Sequence, residues 1–168
     1  MQACEPGTTK DGRTIRRVPF DDTCLQLSSR WLKDPELVWL IRAAPEFDPA
    51  VQSAWYASLP TRTDYAVWGI AVEDTPIGVM GIKHIGVDDG AEYFMYIGER
   101  SYWRLGIARW AMKEIKAEVA SRGLTWVYGK VAHYNERSMA TDLALGMRPI
   151  RDLGEQMFVG IKVDDPTP

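Results

Sequence analysis

Tyr96-Ile97-Gly98-Glu99-Arg100-Ser101-Tyr102-Trp103-Arg104-Leu105-Gly106-Ile107-Ala108 changes its hydrophobic period in mid-course, and that change decides the fold. Ahead of it, residues 92–97 (EYFMYI) read as a strand. Beyond it, Ile107, Ala111, Ile115 and Val119 recur four apart and make one face of a long helix, which Gly123 closes. Between the two runs a short loop carries Arg100 and Arg104, and Gly106 opens the helix. The first backbone N–H groups of a helix have no internal partner, its dipole favours anions there, and glycine lets an oxygen approach closely. With Arg104 and Arg109 adding charge, the turn suits a pyrophosphate. Strand–glycine–helix turns are also common structural punctuation, so from these residues alone both readings stand.

Working outward toward the N-terminus, residues 77–85 and 65–72 flank the turn-forming EDTP and predict a hairpin, with Asp88-Asp89-Gly90 as the next turn. Asp48 and Pro49 start a helix running to about residue 59, with Val51, Trp55 and Leu59 as its apolar stripe. An earlier helix begins at Asp21 or Asp22 and runs to about residue 33, where Asp34-Pro35 ends it. Residues 14–18 predict a first strand. Toward the C-terminus, residues 124–132 predict a strand, 135–145 a helix stopped by Gly146, and 157–163 a last strand, with one more near 147–151. Hairpins and a β-α-β crossover both occur, so the class is α/β with a mixed sheet in one domain over 1–168, with residues 1–12 and 164–168 flexible.

Composition narrows the functions. Of 168 residues, 20 are basic and 23 acidic, which supplies no broad cationic surface for nucleic acid. No run reaches the ~18 to 20 apolar residues of a membrane span, and the start lacks the apolar core of a signal peptide, so a cytoplasmic protein is expected. Two cysteines and two histidines build neither a disulfide framework nor a metal site from spacing.

Trp103-Arg104-Leu105-Gly106-Ile107-Ala108 resembles the acyl-CoA loop of the GNAT superfamily of N-acetyltransferases, written Gln/Arg-x-x-Gly-x-Gly/Ala. Trp103 replaces the commoner Gln or Arg, and Tyr-Trp at this point is usual in the ribosomal-protein-acetyltransferase-like branch. Asn135-Glu136-Arg137-Ser138 followed by Leu145-Gly146-Met147 resembles the NxxS…LGF block of the same superfamily, and element order agrees from about residue 14 to 163. Within the branch, residues 31–36 (WLKDPE), 52–56 (QSAWY) and 91–99 (AEYFMYIGE) are closest to a subgroup that acetylates amino sugars, often nucleotide-linked.

The resemblance implies a GNAT fold: a central mixed, mostly antiparallel twisted sheet of six to seven strands, splayed in the middle and flanked by about four helices. It implies acetyl-CoA as cosubstrate and no metal. The pantetheine would pair with the backbone at Tyr96 and Ile97, and the pyrophosphate would meet the loop from Trp103 through Arg104, Leu105, Gly106 and Ile107 to Ala108, with Arg109 beside it. Asn135 and Ser138 would lie near the thiol end. Many relatives place an acidic tyrosine seven residues after the asparagine; here that position is Asp142, leaving Ser138, Tyr134 or solvent to protonate the thiolate. A strand glutamate used as base in some relatives is replaced by Lys130, so Glu92 is the preferred base, with His84 and His133 as alternatives. The expected partners are acetyl-CoA and an amine, a nucleotide-linked amino sugar first; a homodimer is left open. The competing functions are acetylation of a protein N-terminus or lysine, and a non-catalytic CoA-binding domain.

Overall fold

The computed structural model describes residues 5–43 and 48–168; Cys4 lies outside them. Its strands are β1 (Gly7–Thr8), β2 (Thr14–Pro19), β3 (Tyr65–Val72), β4 (Thr75–Lys83), β5 (Gly90–Ile97), β6 (Trp126–Ala132), β7 (Arg148–Asp152) and β8 (Gln156–Lys162). The helices are α1 (Asp22–Trp31), α2 (Pro35–Ile41), α3 (Pro49–Ser58), α4 (Ile107–Ser121) and α5 (Glu136–Ala144). The strands form one mixed sheet in the order β1-β2-β3-β4-β5-β6-β8-β7, with β5 and β6 parallel. The α/β class is as expected, but the described residues hold eight strands and five helices, against six to seven and about four.

The extra elements have local causes. Asp34-Pro35 ends α1 and also begins α2: Asp34 Oδ1 accepts from Glu36 N at 3.0 Å, and Pro35 occupies the first turn. The same Asp-Pro signal starts α3 at Asp48, so Asp34-Pro35 carries a start signal as well as the stop expected of it. Strand β1 is two residues long, too short for any periodicity, and pairs Gly7 with Ile15 and Thr8 with Thr14. The additional strand near 147–151 is β7, bulged between Pro149 and Arg151.

The described chain divides into two compact units. The first contains residues up to Gly81 together with Met95–Ile107. Its core holds Ile15, Ile70, Val72, Ile77 and Met80, each fully buried, with Trp31 delivered by the inward face of α1. The Trp31 indole lies against Gly98, where a Cβ would come within 2.1 Å of a ring atom, so only glycine fits. Trp31 Nε1 donates to Glu99 Oε1 at 2.9 Å, and its ring stands edge-on to Tyr96. The stripe expected on α3 is not buried: Val51 is 65% exposed, and Trp55 instead meets Phe20 and Tyr65 edge-on.

The second unit contains Ile82–Phe94 and Ala108–Pro168. Ala111, Ile115 and Val119 of the expected α4 face are buried, as are Val127, Val159 and Ile161 of the sheet. Strand β6 pairs with β8 along its whole length, from Trp126↔Lys162 to Ala132↔Gln156. Its parallel ladder with β5 covers only Gly90↔Trp126, Ala91↔Val127 and Glu92↔Tyr128. No β5–β6 pair is formed among the described residues beyond Glu92↔Tyr128. Lys116 of α4 donates to the Asp165 carbonyl and to Thr167 Oγ1, tying residues 164–168, expected to be flexible, to the helix.

Candidate active site

In the first unit, the turn that carries the fold's signature is braced from several sides. Gly98 and Glu99 donate their N–H groups to the Ile77 carbonyl at 2.9 and 3.1 Å, fixing where β5 ends. Trp103 Nε1 donates to the Ile97 carbonyl at 2.8 Å, so this tryptophan anchors the loop to its own strand. The Lys10 N–H donates to the Leu105 carbonyl at 3.0 Å, which is the service β1 and its turn perform. Arg104 and Gly106 both have left-handed backbone, φ 67° and 83°, and the helix starts at Ile107. Arg104 and Arg109 are exposed cations beside that start.

Arg100 is committed elsewhere. Its guanidinium binds Asp34 Oδ2 at 2.6 Å and Glu36 Oε2 at 2.5 Å, and stacks over Trp103. The Arg100 hydrogen bond holds the Asp34 carboxyl below its ordinary pKa. Arg100 thus positions the loop against the α2 start. Arg100→Ala is expected to raise the KM for acetyl-CoA about threefold with kcat unchanged, the mark of lost positioning in binding. Steady-state kinetics at low and 0.5 M salt check this, since an exposed ion pair matters less when screened.

In the second unit, β4, β5 and β6 bring four charged or titratable groups together. Glu92 is buried, and its Oε1 lies 3.1 Å from Lys83 Nζ while Oε2 lies 3.0 Å from Lys130 Nζ and 3.1 Å from His84 Nδ1. Burial alone raises a carboxylate's pKa, but the hydrogen bonds and charges of Lys130 and Lys83 outweigh it and hold Glu92 below its ordinary value. Alternation along β5 predicts that desolvation raises Glu92 toward the range of a base; the net direction is the opposite. A cavity of about 180 Å³ opens here, lined among others by His84, Glu92, Lys130, Arg151, Tyr128 and Phe158. Tyr128 and Phe158 stack at 5.1 Å, and Tyr128 stacks on Trp126 at 5.9 Å. Lys83 and Arg151 were missed from sequence. Lys130, which the sequence places where the family resemblance implies a glutamate, projects from β6 to Glu92 on β5.

The remaining expected residues of this unit are placed separately. Asn135 caps α5, its Oδ1 accepting from Ser138 N at 3.0 Å. His133 Nε2 lies 3.0 Å from Asp152 Oδ1 on β7, so it already has a carboxylate partner. Tyr134 is exposed. The Tyr93 hydroxyl, which the sequence did not single out, donates to Asp142 Oδ1. Asp142 is buried with Oδ2 unpartnered, and burial pushes its pKa up to about 6. The helix position of the expected tyrosine therefore holds a carboxyl, and a phenol reaches it from β5.

Residues 14–148 match the acetyltransferase (GNAT) domain. The chain belongs to this family. Its activity is that of a GNAT acetyl-CoA-dependent N-acetyltransferase. Among solved structures, a domain from Methanocaldococcus jannaschii superposes with a TM-score of 0.79 at 18% identity, covering 89% of this chain and 99% of that one. The spermidine N-acetyltransferase of Vibrio cholerae, solved with CoA and spermine, gives 0.78 at 14% identity, covering 89% and 95%. The Campylobacter jejuni N-acetyltransferase PseH gives 0.66 at 14% identity, covering 88% and 97%. At such identities the likeness is one of GNAT fold. No curated protein matches the sequence. No helix among the described residues is long and apolar enough to cross a membrane.

Proposed function

We propose that this GNAT enzyme transfers acetyl from acetyl-CoA to a primary amine of an amino sugar carried on a nucleotide, in a ternary complex. The backbone N–H groups of Arg104 to Ala108 take the pyrophosphate, with Arg104 and Arg109 as counter-charges and Trp103 and Leu105 holding the turn. The pantetheine pairs with the β5 backbone at Tyr96 and Ile97, and Asn135 and Ser138 serve its thiol end. The amine attacks the thioester directly, and holding both substrates in one complex supplies much of the rate.

The observation that carries the acceptor class is the cavity of the second unit. Its charged lining sets Lys130 and Arg151 beside Glu92 and Asp88, and Glu92 is already paired with Lys130 and with Lys83 outside the lining. With Glu92 taken up by its lysines, Arg151 is the cation such a lining offers to a phosphate-bearing acceptor. The stacked Tyr128 and Phe158 offer a flat apolar wall for a sugar ring or base. At about 180 Å³ the cavity is smaller than the ~300 Å³ and above of sites that enclose a drug-sized ligand, so it takes in the reacting end of the acceptor and not the whole molecule.

The test is a free-thiol assay with acetyl-CoA and three acceptors: UDP-glucosamine, spermidine, and a short peptide with a free N-terminus. Turnover with the nucleotide sugar at a kcat/KM at least tenfold above the others is expected. Preference for spermidine or the peptide overturns the acceptor class while leaving the acetyltransferase standing.

A further inference from the structure

We propose that His84 and Glu92 form a base dyad, in which His84 Nε2 takes the proton of the acceptor ammonium and Glu92 is the positioning residue behind it. The proposal rests on the acetyltransferase reading but not on the identity of the acceptor. Strand β4 ends at Lys83, and His84 follows in left-handed backbone with φ 53°, which turns the chain at the cavity rim. Its side chain is 55% exposed, whereas Glu92 behind it is buried. The ring is thus half in solvent and half against a carboxylate.

The tautomer follows from the neighbours. Glu92 Oε2 lies 3.1 Å from His84 Nδ1, and the same carboxylate is held by Lys83 and Lys130. An ionised carboxylate only accepts hydrogen bonds, so Nδ1 must carry the ring proton and Nε2 is left with its lone pair. The two lysines already neutralise Glu92, which keeps the carboxylate ionised and keeps it from competing for the amine's proton. The groups facing His84 are Glu92 from β5, Lys83 from β4, Lys130 from β6, Asp88 from the intervening turn and Arg151 from β7. His133 is not equivalent, because Nε2 is the nitrogen against Asp152.

The step balances as follows. Nε2 removes one proton from the ammonium, giving a neutral amine and an imidazolium stabilised by Glu92. The amine lone pair forms the C–N bond at the thioester carbonyl carbon, the C–S bond breaks, and CoA leaves as thiolate. The second nitrogen proton passes to the thiolate, and the proton on His84 returns to solvent, so one proton is released per acetyl transferred. General-base assistance of this kind contributes roughly 10² or more in rate.

Two measurements decide the matter. In protein labelled with 15N-histidine, only two rings contribute. Above pH 8 the His84 ring is expected to show a protonated Nδ1 and a bare Nε2; the opposite tautomer overturns the dyad whether or not an acceptor has been found. For rates, the amine best used in the acceptor panel is taken, whichever class it belongs to. His84→Gln, at an exposed position, is expected to fold normally, lower kcat about a hundredfold and remove the acidic limb of the pH–rate profile. Glu92→Gln is expected to lower kcat about tenfold with both KM values unchanged and to leave both His84 tautomers populated, because a side-chain amide can accept from or donate to Nδ1. A His84→Gln enzyme with wild-type kcat and an unchanged acidic limb overturns the proposal, as does a folded Glu92→Gln enzyme with wild-type kcat and the single Nδ1–H tautomer. If the nucleotide sugar fails but the limb still vanishes with another amine, the acceptor class is wrong and the dyad stands.

Discussion

Gly106→Val is expected to weaken CoA binding about a hundredfold or more, roughly 3 kcal/mol, in a protein that still folds. Gly106 has φ 83°, and a Cβ there meets nothing nearer than Lys10 Cγ at 3.5 Å, an ordinary contact. The fold therefore has room for a side chain, and the strain lies in the backbone: left-handed geometry costs an L-residue about 1–2 kcal/mol, more when β-branched. The variant relieves the strain by swinging the peptide groups ahead of Ile107, and its branched side chain covers the N–H groups that would face phosphate. Gly106→Ala, without the branch, is expected to fall in between. Isothermal calorimetry with CoA, alongside a thermal melt, reads both effects. Wild-type affinity in folded Gly106→Val would place the phosphates somewhere else.

Asp142→Asn is expected to stabilise the protein by about 3 kcal/mol at pH 8 and to leave it unchanged at pH 3.5. Burial raises the Asp142 pKa from 3.8 to about 6, so the native state binds a proton that the unfolded chain gives up. Stability from that group is fully present below pH 3.8 and is lost as pH rises through about 6, beyond which the fold carries a buried charge. Asparagine keeps an acceptor for the Tyr93 hydroxyl and removes the charge. Urea unfolding across this range should show a wild-type decline between pH 4 and 7 that the variant lacks. Parallel curves would mean that Asp142 is charged and solvated in the native state.

These two residues also show what the sequence makes legible. Gly106 was readable because its message is local: a strand period, a glycine and a helical period follow one another within a dozen residues, and the structure begins α4 one residue later. The buried α4 face was readable for the same reason. Asp142 was recognised only as a departure from a pattern, since its meaning depends on Tyr93, 49 positions away. Arg100 looked like one more loop cation until its partner Asp34, 66 positions away, was in view. Glu92 was found, but the sign of its pKa shift was not, because burial could be guessed from alternation and the two lysines opposing it could not. Helix α2 was lost to a different cause: one Asp-Pro pair both stops a helix and starts the next.

The brace around the Gly106 turn and the cluster around Glu92 are built from different stretches of chain. Lys10, Trp31, Asp34, Glu36, Ile77 and Trp103 secure the first, while Lys83, His84, Lys130 and Arg151 surround the second. Inheritance can therefore treat them separately. On the proposed assignment of cavity to acceptor and turn to donor, a lineage that exchanges Arg151 or Tyr128 retunes what the enzyme accepts without loosening its hold on the shared donor, and one that refines the turn carries every acceptor variant along. Divergence of appetite with constancy of fuel is the history such a division of residues permits.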